Sequence, residues 1–201
     1  MNYVVRIPVC TLLLLCLFSI ADAGAASPEN RKKPGVYLNE ISAATGYCRG
    51  ELKKEHENFA VYPLLTRIGF NINSLAGIDG SRNTLQLGVE PFVNIVAASD
   101  HGVETGLGVG LRYYHKCFMP FDLFIEASAA PIFLSIASIE QGNPGFNFLL
   151  QSGVGFQYKL SARNAFFAGY RFRHISNGGL VAASNSGINS DAIIAGLSWL
   201  Y

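Results

Sequence analysis

The stretch TLQLGVEPFVNIVA, residues 84–97, alternates between two kinds of side chain. Leu85, Leu87, Val89, Pro91, Val93, Ile95 and Ala97 take the odd positions. Thr84, Gln86, Gly88, Glu90 and Asn94 take even ones. Successive side chains of a β-strand point to opposite faces, so this stretch reads as a strand with one apolar face and one polar or glycine-bearing face. The next segments repeat the pattern. Val103, Leu107, Val109, Leu111 and Tyr113 alternate with Glu104, Gly106, Gly108, Gly110 and Arg112. Phe121, Leu123, Ile125, Ala127 and Ala129 alternate with Asp122, Glu126 and Ser128. Phe146, Phe148, Leu150, Val154, Phe156 and Tyr158 alternate with Asn147, Gln151, Gly153, Gly155, Gln157 and Lys159.

Weaker segments at 38–53 and 58–71 precede these, and two more at 164–176 and 189–201 follow. The total is eight strands, the smallest usual transmembrane barrel, and each is long enough for a tilted span of about 9–11 residues. A soluble sandwich or a periplasmic lipid-binding barrel also alternates, with its polar face toward water. Here that face is rich in glycine and poor in charge, and the opposite face carries rows of large aliphatic and aromatic residues. The pattern fits lipid outside and a cramped interior filled by small residues and paired charges. Glu90, Glu104, Arg112, Glu126, Arg171 and Arg173 are the candidates for internal ion pairs. The expected fold is an all-β, eight-stranded antiparallel transmembrane β-barrel of the outer-membrane type.

Composition agrees. Of 201 residues, 50% are hydrophobic and only 14% charged, and the net charge of +1 comes with no basic block that would bind nucleic acid. Arg6, the apolar run at 11–20 and Ala21-Asp22-Ala23 read as a cleaved signal peptide over residues 1–23. Leu15 before Cys16 argues against lipidation. Residues 24–35 read as a flexible lead-in, and 36–201 as the barrel. Cys48 and Cys117 remain after cleavage, and an exported compartment permits a disulfide, although two unbridged thiols fit equally well. No residues have metal-ligand spacing, and no cofactor is implied. His56, His101 and His115 fall in or near predicted turns, Asp79-Gly80 reads as a turn, and Glu140 and Asn143 belong to an exposed loop.

With both ends in the periplasm, the connections near 54–57, 99–101, 135–145 and 177–188 face the cell exterior. At the end of the chain Ile193, Ala195, Leu197, Trp199 and Tyr201 form one apolar stripe ending on an aromatic residue. It resembles the last strand of bacterial outer-membrane proteins, which implies the barrel-assembly machinery as a partner.

Parity singles out the end of the seventh segment. Phe166, Ala168, Tyr170 and Phe172 share the apolar face, and His174 and Ser176 continue it. In the eighth segment the same stripe, followed backwards, reaches Asp191 and Asn189. The two segments are antiparallel neighbours, so these four polar residues should gather on the outer wall. Two readings stand. Polar groups on a lipid-facing wall mark the head-group boundary, or they form a serine hydrolase, in which a hydroxyl is activated by a base that a third group orients.

The stretch from Tyr170 through His174, Ser176, Asn177 and Gly179 to Leu180, followed by Asn185-Ser-Gly187-Ile-Asn189, resembles the PagL-type lipid A 3-O-deacylases and related acyloxyacyl-hydrolase-like barrels. Weaker echoes are Glu90-Pro91-Phe92, Arg112-Tyr113-Tyr114 and Phe146-Asn147-Phe148, and the resemblance runs from about Glu40 to the end. It implies an outer-membrane serine esterase that removes the 3-O-linked acyl chain of lipid A in lipopolysaccharide. Ser176 would be the nucleophile and His174 the base. Backbone amides after Ser176, with Asn177 and Gly179, would bind the oxyanion. In the family a glutamate orients the histidine, and its motif position falls here on Asn189, with Asp191 as the alternative third member. The implied partner is lipid A of the outer leaflet, and a homodimer is compatible with it. With Asn189 in the acid position, a catalytically inactive structural or lipid-binding barrel of the same family is the alternative.

Overall fold

The structure is a computed structural model that describes residues 35–52, 57–78, 82–97, 101–138, 144–180 and 185–201. The signal peptide, most of the lead-in, His56, the Asp79-Gly80 turn, Glu140 and Asn143 lie outside the described residues. So do parts of all four connections assigned to the exterior.

Nine strands form one antiparallel sheet. They are β1 (Tyr37–Leu52), β2 (Glu57–Tyr62), β3 (Leu64–Asn71), β4 (Asn83–Ala97), β5 (His101–Phe118), β6 (Phe121–Leu134), β7 (Gly145–Lys159), β8 (Asn164–Ser176) and β9 (Ile188–Leu200). A one-turn helix, α1 (Asn73–Ala76), joins β3 to β4. Each strand pairs with its neighbour, and β1 also pairs with β9, from Glu40↔Leu200 to Gly50↔Ser190, so the sheet closes into a barrel.

The ninth strand comes from Pro63. β2 and β3 flank it and keep one register against β1, from Cys48↔Val61 to Thr45↔Leu64. They also keep one register against β4, from Tyr62↔Ile95 to Leu65↔Phe92. Proline has no N–H to give the ladder, so a single barrel stave is counted as two strands. The freed Pro63 carbonyl accepts from Thr45 Oγ1 at 2.8 Å. The barrel therefore has eight staves, as the alternation implied. One smaller expectation is corrected: His115 lies within β5, because that strand runs past Tyr113 as far as Phe118. Its Nδ1 meets Asn83 Oδ1 at 2.9 Å, across the register pair Asn83↔His115.

Side chains sort by parity. Leu107, Val109, Leu111, Ile125, Val154 and Ile193 are exposed, with Ile193 62% accessible, while charged residues are buried. This is the reverse of a soluble globule and suits hydrocarbon outside. Inside, Arg171 donates to Glu90 at 2.6 and 2.8 Å and to Glu126 at 2.6 Å. Arg112 meets the same Glu126 at 2.8 Å and donates to the Tyr114 hydroxyl at 3.0 Å. Arg173 pairs with Glu104. All six residues expected to form internal ion pairs do so, in two groups.

A further interior acid was not anticipated. Glu40 of β1 accepts from Ser198 Oγ at 2.6 Å, Tyr114 Oη at 2.8 Å and Gln86 Nε2 at 3.1 Å. It thereby ties three further staves to β1. Cys48 is buried and Cys117 exposed, and both are free thiols. Cys48 Sγ accepts from Arg173 Nη1 at 3.2 Å, which gives it a structural task in place of a disulfide.

Two outcomes test this arrangement. Arg171→Ala leaves Glu90 and Glu126 without their shared cation, and the barrel should lose roughly 3–5 kcal/mol in reversible denaturant unfolding. Val109→Arg puts a charge on the middle of the outer wall and should cost about 2–4 kcal/mol in a lipid bilayer. A soluble barrel would tolerate that second change without loss.

Candidate functional site

The polar end of the β8–β9 hairpin follows from the ladder. Tyr170↔Ile193, Phe172↔Asp191 and His174↔Asn189 are register partners. His174 and Asn189 therefore stand side by side on the outer wall. His174 Nδ1 and Asn189 Oδ1 are 2.7 Å apart. An amide oxygen can only accept, so this bond puts the imidazole proton on Nδ1 and leaves Nε2 with a free lone pair. Such a nitrogen can take a proton from a hydroxyl.

Ser176 is the next outward position after His174 and the last residue of β8, opposite Phe148 of β7. Among the described residues its hydroxyl forms no hydrogen bond, so the link to His174 is open in this structure. Catalytic hydrogen bonds are often long before substrate binds, and a flat strand holds i and i+2 side chains about 6.6 Å apart. Asp191, one outward row inward from Asn189, is not joined to His174. Its carboxylate accepts from the hydroxyl of Tyr170.

The chain turns sharply just after Ser176. Gly178 and Gly179 have φ of +65° and +72°, and Leu180 N donates to Asn177 O at 3.2 Å. Two successive positive φ values demand glycine, which explains the Gly-Gly pair. Asn177 is buried and holds the turn from within. Its Oδ1 accepts from Gly179 N at 2.8 Å, and its own N–H donates to Asn185 Oδ1 at 3.0 Å. Both amides named as oxyanion donors are thus occupied by side-chain amide oxygens here.

Sequence reasoning placed one residue in the family-like stretch without giving it a role at the site. Gly187, with φ +74°, stands against the free edge of His174. A Cβ there would lie 2.5 Å from Cε1 and 3.2 Å from Nε2. The imidazole is thus held between Asn189 on one edge and a bare backbone on the other. Nothing in the local sequence announces this, because the contact depends on how β8 and β9 register. Among the described residues no cluster of side chains suits a metal ion.

Comparison with known proteins bears on this arrangement. The chain matches the family model for "Lipid A 3-O-deacylase (PagL)" over residues 67–198, which includes every candidate site residue. It is similar to the crystal structure of the outer membrane enzyme PagL, with a TM-score of 0.55, 17% identity, and 78% of this chain and 97% of that one covered. It is also similar to Neisserial surface protein A, with a TM-score of 0.58, 14% identity, and 83% and 99% of the two chains covered. At these identities the two structures establish the barrel fold alone. No curated protein sequence matches the chain.

The place of Gly187 gives a direct test. In Gly187→Ala the methyl group must displace the imidazole, and the positive φ adds strain. The ring nitrogen resonances of His174 in labelled protein should then show loss of the bond to Asn189. The folded barrel should keep its heat-modifiable gel mobility.

Proposed function

Because the chain belongs to the lipid A 3-O-deacylase (PagL) family, we propose that it is an outer-membrane serine esterase that hydrolyses the 3-O-linked acyl chain of lipid A. The observation that carries this reading is the His174–Asn189 hydrogen bond on the lipid-facing wall, with Ser176 as the next outward residue. A site on the outside of a barrel meets membrane lipids and not soluble esters. Closest to hand in the outer leaflet is lipopolysaccharide.

The chemistry then runs as acyl transfer to Ser176 and hydrolysis. Ser176 Oγ attacks the ester carbonyl carbon as its proton passes to His174 Nε2. The bond from that carbon to the sugar oxygen breaks, and His174 returns the proton to that oxygen. Water, deprotonated by His174, then attacks the acyl-serine, releases the fatty acid and restores Ser176. Asn189 keeps the proton on Nδ1 throughout. The amides of Asn177 and Gly179 receive the oxyanion in exchange for the side-chain oxygens that occupy them. Removing one such donor typically slows catalysis about 10²–10³-fold. This route draws on no metal and no organic cofactor.

Asn189 fixes the tautomer of His174 but brings no full charge to stabilise the imidazolium. With Asp191 bonded to Tyr170, Asn189 is the better supported third member. A neutral orienter predicts a slow enzyme, since no opposite charge stands beside the imidazolium that forms as Ser176 attacks. The open Ser176–His174 link and the neutral partner favour a second reading, a barrel of the same family that binds lipid without hydrolysing it.

Mass spectrometry of lipid A from cells producing the wild type, Ser176→Ala or His174→Ala separates the two. The esterase gives a species lacking one hydroxyacyl chain in the wild type alone. Identical spectra from all three proteins would establish the non-catalytic reading.

A further inference from the structure

The closure of the barrel brings a second chemical group to the same wall. β9 lies between β8 and β1, and Asp191 is the register partner of both Phe172 and Arg49. Arg49 is exposed and shares the outward parity of Tyr47, whereas Cys48, the residue before it, and Ala192, the partner of Cys48 on β9, are buried. It is two strands across and one outward row down from His174. Strand spacing of about 4.8 Å and a two-residue rise of about 6.7 Å put the two Cα atoms roughly 12 Å apart. On its other side Arg49 faces Ala60 of β2, a side chain too small to cover it.

An arginine facing hydrocarbon is costly, and such residues are found paired or reaching toward the interface. Of the buried arginines among the described residues, 112, 171 and 173 hold carboxylates, and Arg67 donates to Gln86. Arg49 forms neither a hydrogen bond nor an ion pair among the described residues. Its obvious partner, the Asp191 carboxylate, accepts instead from the Tyr170 hydroxyl on the β8 side. Among the described residues it is the only lysine or arginine that faces outward at the His174 end of the barrel. The others with outward access, such as Lys116 and Arg163, lie at the opposite end, with the β5–β6 and β7–β8 turns.

We propose that Arg49 is an anion subsite on this wall, which binds a phosphate monoester of a lipid sugar head group while the acyl ester of the same lipid lies against Ser176. The inference rests on the esterase reading for its substrate. A guanidinium presents paired donors that match two phosphate oxygens, and water is scarce at the wall, so the contact is both strong and selective. It also gives the lipid a direction. The phosphate is then held on β1 and the acyl ester on β8, which fixes the lipid's orientation across the two strands. Charge on the sugar, and not only acyl-chain chemistry, would then select the substrate.

Binding is measured in detergent micelles with Ser176→Ala protein, which cannot turn over. Two ligands are compared, bisphosphorylated lipid A and the same lipid with its phosphates removed. The phosphorylated lipid should bind more tightly. Adding Arg49→Gln should weaken that binding about tenfold or more, in line with the loss of a hydrogen bond between charged groups. It should leave binding of the dephosphorylated lipid unchanged, and Arg49→Lys should restore part of the loss. Equal affinity for both lipids, or an Arg49→Gln effect that is absent or the same for both, would overturn the subsite. Hydrolysis by the Ser176-containing protein is measured separately. No turnover together with phosphate-selective, Arg49-dependent binding would remove the esterase reading and leave the subsite standing.

Discussion

The ladder between β1 and β9 carries the rest of the molecule. In hydrocarbon a strand edge has no water to satisfy its N–H and C=O groups, and each orphaned group costs several kcal/mol. The first and last strands must therefore meet. Once they do, every other constraint follows from the ring. The interior becomes too narrow for a pore and must be filled by side chains. Those side chains sit far from solvent, so each charge among them needs a partner. Arg171 between Glu90 and Glu126, and Arg112 between Glu126 and Tyr114, meet that need by linking staves that are remote in sequence. Glu40 does the same for β1, the strand that closes the ring. Closure and internal pairing are thus one constraint expressed at two places.

The same closure puts chemistry on the outside. An eight-stave interior has no room for a lipid, so a site for one must be built on the wall. A wall site has little depth, and its groups come from adjacent staves at one level. His174 and Asn189 are register partners, and the bond between them is a direct product of β8–β9 pairing. Ser176 ends its strand at the point where the backbone must turn, which brings the Gly178-Gly179 turn and its amides beside it. The position of the hairpin end relative to the membrane surface thereby decides what the site can meet.

How much of this the sequence displayed depends on the range of the interaction. Alternation is local, so the eight staves, the parity of His174 and Ser176, and the inward direction of Arg171 and Arg173 were all legible. The strand count differed only because Pro63 interrupts a ladder without changing its register. Asn189 opposite His174 was legible too, since a hairpin fixes register nearby. Glu40 was not, because β1 carries small, weakly alternating inward residues such as Ser42 and Ala44, and because its partners come from β4, β5 and β9. Gly187 was hidden for a different reason. Its value lies in the side chain it lacks, and the ring it would strike is on another strand.

Arg49 and Asp191 show the limit most clearly. Read along the hairpin alone, Asp191 falls on the face of His174 and looks like a second orienting acid. The hairpin also gives it Tyr170, diagonally on β8, and the closed ring adds Arg49, directly across on β1. The phenol takes the carboxylate, which leaves the imidazole to Asn189 and the guanidinium without an internal partner. His174 is then bonded to a neutral group, and a cation lies open near it on the outer wall. On the esterase reading proposed above, such a wall would hold an anionic lipid firmly and act on it slowly.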